Sequence, residues 1–239
     1  MIRSHLTGWL LGLVLLAAPT GATEPAVVLF FGDSLTAGYG VAKENGFPAR
    51  VQVLADSSGC ALRVVNAGLA GETTAAGLRR VDWILQKPVD VFVLELGGND
   101  GLRGVPLAET ERNLRGIIDR VRAKSPQAQL VLVGVRLPPN LGAEYTEGFA
   151  AIFPRLANAR HAVLIPDLLQ GVAGDRSLMR ADGIHPNVAG HRLVAQTVWR
   201  QLEPLLCAAP ADSAGAAQDF EGRNTGHAAA AEEPDENGQ

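Results

Sequence analysis

The sequence predicts an α/β domain of three layers, αβα, with a five-stranded parallel sheet between two layers of helices. Three observations support this fold class. Short apolar runs recur along the chain at residues 27–31, 62–67, 89–96, 130–135 and 162–165. Segments with helical spacing of apolar residues separate them, as in parallel sheets with crossover helices. Right-handed crossovers then place helices on both faces of the sheet.

The first half of the chain alternates strand and helix. The first strand stops abruptly at Gly32-Asp33-Ser34, as a buried parallel strand does before a sharp turn. Apolar spacing and stop residues predict the next elements, which are helix 47–58 ended by Gly59, strand 62–67, helix 72–86 ended by Lys87 and Pro88, and strand 89–96.

The second half continues the alternation. An amphipathic helix follows Pro106, and an irregular loop follows the fourth strand. Pro154 is expected to bend or split the next helix, because proline breaks the helical hydrogen bonds. The elements in order are a helix through Val121, strand 130–135, loop 137–142, helix 145–159, strand 162–165, a loop-rich passage 166–187 and helix 188–206.

The N-terminus is typical of a secretory signal peptide. Arg3 precedes an apolar stretch over residues 6–18, and small residues follow, so we expect cleavage near Ala22. The alternative is a membrane anchor, but the stretch is shorter than the roughly 20 residues of a spanning helix. We therefore expect export across the inner membrane to the periplasm or beyond, without a stable anchor.

The C-terminal residues 208–239 are rich in Ala, Gly, Asp and Glu and lack apolar periodicity, which predicts a disordered acidic tail. One domain, residues 23–207, remains. The net charge of the chain is −4, and most of the acidic excess lies in the tail. The nearly neutral domain gives no reason to expect nucleic acid as a partner. A monomer is the expected state.

The domain contains two cysteines, Cys60 and Cys207. They could pair in an oxidising compartment, but sequence alone does not place their Cα atoms within bridging distance. We expect two isolated thiols.

The loops after parallel strands meet at one edge of the sheet, where ligands of open α/β sheets bind. They deliver Ser34, Gly68 and Asn99. Each has a simpler interpretation, since serine caps helices and Gly and Asn are common in turns. Together they predict acyl transfer, with Ser34 as nucleophile and an oxyanion hole made by the backbone N–H groups of Ser34 and Gly68 and the Asn99 amide.

A serine nucleophile needs a base, and His185 is the candidate. Asp182 stands three residues earlier in the same loop and can orient the imidazole. An isolated loop histidine is the alternative interpretation. His161, His191 and His227 lie in less suitable places, and the histidines show no metal-ligand spacing, so no metal site is expected.

Four blocks of this sequence resemble the SGNH hydrolases, also called GDSL esterases or lipases. They are Gly32-Asp33-Ser34-Leu35, Asn66-Ala67-Gly68, Gly98-Asn99-Asp100 and Asp182-x-x-His185, in the family's order. The resemblance implies a flavodoxin-like variant of the α/β sheet, no cofactor, and the catalytic roles given above. The motif G-x-S-x-G of ordinary α/β-hydrolases is absent, and the loop 97–104 lacks the lysine of a phosphate-binding loop.

The acyl side of the substrate is expected to lie against Leu78, Leu137, Leu141 and Tyr145, although such residues can equally belong to the core. Three hypotheses follow. The first is a broad serine esterase, thioesterase or lysophospholipase acting on small acyl esters, and the second is a narrower acetylesterase of carbohydrates or short chains. The third is a non-catalytic binding module. Because the periplasm holds little acyl-CoA, lysophospholipids or external esters fit the first hypothesis better than thioesters do.

Overall fold

The computed structural model describes residues 24–207. The signal peptide (1–22) and the acidic tail (208–239) expected from the sequence lie outside these residues. Within them, five strands and seven helices alternate. The strands are β1 (Ala26–Gly32), β2 (Leu62–Asn66), β3 (Val91–Glu95), β4 (Gln129–Val133) and β5 (Val163–Ile165).

The helices connect the strands in the predicted pattern. Two of them, α1 and α4, are single turns directly after β1 and β3, and the sequence analysis did not identify them as helices. The helices are α1 (Ser34–Ala37), α2 (Phe47–Ser57), α3 (Thr74–Ile84), α4 (Gly98–Leu102), α5 (Leu107–Lys124), α6 (Ala143–Arg160) and α7 (Val188–Leu206). Pro154 lies inside α6, which nevertheless runs as one helix.

All strands pair in parallel, in the order β2-β1-β3-β4-β5. The chain leaves β1 toward β2 on one side and returns to β3 on the other side. The strand order therefore reverses between β1 and β3, and a crevice for ligands opens at such a switch point. The residues that follow these two strands, Ser34 and Asn99, were the ones predicted to share a site.

A helical layer covers each face of the sheet. On one face α2 packs against α7, and on the other α5 packs against α3 and α6. All five residues of β3 are buried, which explains its continuous apolar sequence except for Glu95. The observed architecture confirms the predicted three-layer α/β fold.

Cys60 and Cys207 form a disulfide with their Cα atoms 5.5 Å apart. The expectation of isolated thiols was wrong. Cys60 stands just before β2 and Cys207 just after α7, and α7 packs on α2, which precedes Cys60. The packing of these helices brings together two cysteines that are 147 positions apart in the chain. None of the helices among residues 24–207 has the length and apolar character of a membrane span.

Candidate active site

Ser34 is the first residue of α1, immediately after the turn that ends β1. Asp33 caps this short helix, because its Oδ1 accepts a hydrogen bond of 3.0 Å from the backbone N–H of Leu35. Gly38 ends the helix in the left-handed conformation. The cap of this helix is therefore Asp33 and not Ser34, so the Ser34 hydroxyl remains available for chemistry.

The glycine before this turn is required by close packing. A Cβ at Gly32 would collide with Thr36 Oγ1 and would lie 2.6 Å from Glu95 Oε2. Glu95, the residue of β3 paired in register with Gly32, sends its carboxyl into this space beneath α1. Any larger residue at position 32 would displace that carboxyl.

His185 and Asp182 complete a hydrogen-bonded chain from the serine. His185 Nε2 lies 2.9 Å from Ser34 Oγ, and His185 Nδ1 lies 2.9 Å from Asp182 Oδ2. Because the Asp182 carboxylate accepts a hydrogen bond from Nδ1–H, Nε2 is left without a proton and can accept the hydrogen bond of the serine hydroxyl. The geometry is that of a nucleophile, a base and the group that orients the base.

The loop between β5 and α7 holds this pair rigidly. Asp182 Oδ1 accepts hydrogen bonds from the backbone N–H groups of Ile184, at 2.9 Å, and His185, at 3.0 Å. The bond from the His185 backbone is the main reason why the pKa of Asp182 falls to about 2. The His185 carbonyl in turn accepts from the Arg180 N–H at 2.8 Å. Asp182 is therefore charged at neutral pH.

Asn99 lies on α4 and lines the same cavity as Ser34. Its Nδ2 donates to Asp33 Oδ2 at 3.1 Å. The side-chain amide has two N–H groups, so one can be held by Asp33 while the other is directed at a substrate oxygen. This position agrees with the predicted role of Asn99 as an oxyanion donor.

Gly68, the other expected oxyanion donor, does not line the cavity. Its N–H donates to Asn66 Oδ1 at 2.9 Å, and its Cα packs against the backbone of Thr36 and Ala37, outside the catalytic cavity. Gly71, three residues later in the same loop, lines the cavity instead and has a φ of +78°. Among residues 24–207 the Gly71 N–H has no acceptor. Both glycines stand in one loop, and spacing alone does not distinguish them.

A cavity of about 750 Å³ opens beside the catalytic residues. Of the four predicted substrate contacts, only Leu137 lines it. Leu78 packs over Gly116 between α3 and α5, Leu141 packs against the hydrophobic core, and the Tyr145 hydroxyl donates to the Val105 carbonyl at 3.0 Å. The expectation that these three residues line the acyl groove is not supported.

Other apolar side chains form the cavity wall. Tyr39, Leu102 and Ile184 line it and are 51%, 44% and 46% exposed. The Tyr39 ring also lies 4.8 Å from the His185 ring, centroid to centroid. Sequence reasoning missed these residues, although each is close in the chain to a site residue, Ile184 directly before His185. Within residues 24–207 no cluster of three or more His, Cys, Asp and Glu residues is arranged to hold a metal ion.

A comparison with protein families identifies the family to which a chain with this site belongs. The model of the GDSL-like lipase/acylhydrolase family matches residues 30–193. The chain belongs to this family. The match extends from β1 to α7 and so includes Ser34, Asn99, Asp182 and His185. The family resemblance stated from the sequence is confirmed.

Relatives in the GDSL-like family include esterase TesA of Pseudomonas aeruginosa, which is 40% identical over 86% of this chain and 100% of the relative. The thioesterase 1/protease 1/lysophospholipase L1 of Escherichia coli is 39% identical over 86% of this chain and 95% of the relative. A likeness to such a multifunctional thioesterase is what the sequence predicts over residues 32–40, 95–104, 136–142 and 182–187.

Solved structures agree with the family assignment. The crystal structure of TesA superposes with a TM-score of 0.72 at 39% identity, covering 75% of this chain and 99% of that one. The psychrotrophic esterase EstA from Pseudoalteromonas, inhibited by monoethylphosphonate, gives 0.71 at 30% identity, covering 75% and 97%. Membership of the GDSL-like family, together with relatives named esterase and thioesterase, shows that this chain is an ester-hydrolysing enzyme.

Proposed function

We propose that the chain is a serine esterase that cleaves carboxylic esters and thioesters through an acyl-enzyme on Ser34. The observation that carries this proposal is the chain of two 2.9 Å contacts from Ser34 Oγ through His185 to Asp182, which opens into an apolar cavity.

In the acylation step, Ser34 Oγ attacks the ester carbonyl carbon while its proton moves to His185 Nε2. The carbonyl oxygen becomes an oxyanion, which we assign to the backbone N–H groups of Ser34 and Gly71 and the side-chain amide of Asn99. The intermediate collapses to the acyl-serine, and the imidazolium gives its proton to the departing alcohol or thiol. Asp182 stabilises the imidazolium throughout.

In the deacylation step, water takes the place of the serine hydroxyl. His185 accepts a proton from the water, which attacks the acyl carbon and forms a second oxyanion in the same place. When this intermediate collapses, the carboxylic acid leaves and Ser34 Oγ recovers its proton from His185. All the protein groups in this cycle belong to residues 24–207.

The substrate we propose is an amphiphilic acyl ester such as a lysophospholipid. Leu102, Leu137 and Ile184 line the cavity, and its volume of about 750 Å³ exceeds what an acetyl group needs. The exposed apolar rim suits a substrate that brings an acyl chain out of an aggregate. The E. coli relative is named a lysophospholipase, which supports this choice.

The test of the nucleophile is labelling with a fluorophosphonate. We expect one label per chain, located on Ser34 by mass spectrometry, and loss of p-nitrophenyl ester hydrolysis in Ser34→Ala and His185→Ala. The matched control is Ser58→Ala, which removes an exposed serine at the end of α2. Wild-type protein that takes no label, or that hydrolyses no more ester than Ser34→Ala, would point to a non-catalytic binding module.

The acyl preference is tested by hydrolysis rates from acetyl to palmitoyl esters. A broad esterase with an apolar cavity prefers medium or long chains, whereas a preference for acetyl esters of sugars identifies the narrower acetylesterase.

We further propose that the enzyme is exported and acts as a monomer, with residues 1–22 removed and residues 23–207 as the folded domain. The disulfide between Cys60 and Cys207 supports an oxidising compartment. Cell fractionation with N-terminal sequencing, and size-exclusion chromatography with light scattering, test these points. An intact N-terminus on cytoplasmic enzyme would contradict export.

A further inference from the structure

A buried carboxyl that takes no direct part in catalysis lies beneath the proposed nucleophile. Glu95 is the last residue of β3, and its side chain is fully buried. Its Oε2 accepts a hydrogen bond of 2.7 Å from the Thr36 hydroxyl and one of 3.3 Å from the Asp33 backbone N–H. Asp33 and Thr36 flank Ser34 on either side, so one oxygen atom holds both ends of the turn.

Burying a carboxyl at this place needs a functional or structural reason, because it is costly unless the group is well paired. Glu95 Oε1 has no partner among the described residues. An apolar residue would suit the rest of β3, whose other four members are Val91, Phe92, Val93 and Leu94. Gly32 is kept free of a side chain to admit this carboxyl. The sequence of two neighbouring strands is thus adapted to one polar contact.

Ionisation of Glu95 is disfavoured at this place. Burial, and the negative charge of Asp33 beside it, raise its pKa well above the ordinary value. Two carboxyl groups that share a buried site do not both ionise easily. The two groups also have different donors: Asp33 accepts hydrogen bonds from the Leu35 N–H and the Asn99 amide, whereas Glu95 Oε2 accepts those of the Thr36 hydroxyl and the Asp33 N–H.

We propose that Glu95 is a positioning residue for the reaction, which fixes Ser34 against His185 by accepting hydrogen bonds from both sides of the nucleophile turn. The proposal rests on the proposed role of Ser34. Serine attack depends on the distance and direction of Oγ, and a turn held from below keeps both while the oxyanion forms.

The experiment compares Glu95→Gln, Glu95→Ala and Thr36→Val in the full chain. Glutamine keeps an uncharged oxygen acceptor, so E95Q is expected to retain kcat within about 3-fold. Alanine leaves two buried donors unpaired, so E95A is expected to lose roughly 10- to 100-fold in kcat with little change in KM. T36V removes one of the two bonds and is expected to fall between them. The rate of fluorophosphonate labelling at Ser34 is expected to follow kcat.

Two controls separate positioning from stability. Val121→Ala removes a buried side chain of α5 far from the turn, and is expected to lower the melting temperature without changing kcat. Thr110→Val removes a buried hydroxyl that has no partner among residues 24–207, and is expected to leave kcat unchanged. Circular dichroism checks that each variant is folded.

The proposal is overturned if folded E95A and T36V keep the kcat and labelling rate of the wild type, or if E95Q is as impaired as E95A. These outcomes are distinct from a failure of the proposed function. If the proposed function is wrong, the Ser34→Ala variant, in which Glu95 is intact, would still take the label or hydrolyse ester.

Discussion

Asp33 connects the turn that carries Ser34 to Asn99, the proposed oxyanion donor, with one carboxylate oxygen for each. Oδ1 accepts from the Leu35 N–H and caps α1, while Oδ2 accepts from the Asn99 amide at 3.1 Å. Burial raises the pKa of Asp33 to about 6, and these hydrogen bonds oppose that rise. At neutral pH the carboxylate is charged and fixes the orientation of the Asn99 amide, so that its nitrogen would be the atom available to the oxyanion in the proposed mechanism.

Replacing Asn99 tests this orientation. Asn99→Ala is expected to lower kcat by roughly 100- to 1,000-fold, because one oxyanion donor is lost, with a smaller effect on KM. Steady-state kinetics with a p-nitrophenyl ester measure both constants. Asn158→Ala, an exposed asparagine on α6, is the control and should match the wild type. Equal kcat in N99A and wild type would remove Asn99 from the oxyanion hole.

His191 makes stability depend on pH. Its Nδ1 accepts a hydrogen bond of 3.3 Å from the Phe47 N–H, and burial lowers its pKa to about 4. The unfolded chain binds this proton near pH 6.5, so the contribution of His191 is complete above that pH and is lost as the pH falls toward 4. Asp33 acts in the opposite direction, because its raised pKa favours the folded state as the pH falls below about 6.

We expect His191→Asn, which keeps an acceptor at the Nδ1 position, to flatten this dependence. Between pH 7 and 4.5 the wild type should lose about 2–3 kcal/mol more free energy of unfolding than the variant, and the Asp33 contribution cancels in the comparison. Urea unfolding at several pH values measures it. His161→Asn changes an exposed histidine and should leave the slope unaltered. Parallel slopes for wild type and H191N would refute the assignment.

At the scale of elements, α7 is held at both ends, by hydrogen bonds at its start and by a disulfide at its end. Asn187 caps its start, accepting from the N–H groups of Ala189 and Gly190, and also donates to the Ser177 carbonyl in the catalytic loop. Cys207, at its end, is joined to Cys60. The helix therefore fixes the catalytic loop on one side of the molecule and the start of β2 on the other.

Removing the disulfide is expected to lower stability without impairing catalysis. It closes a loop between positions 147 residues apart, and its loss in the Cys60→Ala, Cys207→Ala double variant should reduce the free energy of unfolding by about 2–5 kcal/mol. The bridge lies beyond the amino end of β2, whereas the site lies at the carboxyl ends of the strands. Thermal melts and kcat/KM measure the two effects, and a variant as stable as the wild type would contradict this expectation.

The elements that sequence predicted well are those with strong periodicity. Five apolar strands and the amphipathic α5 follow from burial patterns within a few residues. The sequence did not predict the conformation of the catalytic loop 166–187. This loop is shaped by Asx turns at Asp175 and Asp182, and such turns have no periodic pattern of apolar residues. Sequence spacing also does not single out Gly71 as a candidate donor, because that candidacy depends on which N–H groups of the loop are already used: the Gly68 N–H donates to Asn66 Oδ1, while Gly71 lines the cavity. The cavity wall is formed by apolar residues that stay exposed, and the periodicity of apolar residues in the sequence does not show which ones these are.

At the scale of the whole molecule, the site assembles parts from both ends of the domain. Ser34 follows the first strand, Asn99 the third, and His185 precedes the last helix. All three reach the carboxyl edge of the sheet near the switch between β1 and β3. The three-layer architecture thus places three distant segments at one edge of the sheet.

The acidic segment after Cys207 is expected to be dispensable for catalysis. Every described residue of the site and of the disulfide lies at or before position 207. A chain ended at Cys207 should therefore have the kcat/KM and the melting temperature of the full-length enzyme. Parallel assays of both forms test it, and a loss of either property on truncation would show that the domain extends beyond this boundary.

The 151 positions between Ser34 and His185 also determine when activity begins during synthesis. The nucleophile leaves the ribosome early, but its base arrives only after nearly four-fifths of the chain has been made. A nascent chain that ends before His185 therefore carries a serine without a partner to activate it. The order of the residues along the chain thus makes hydrolysis depend on synthesis of nearly the whole domain.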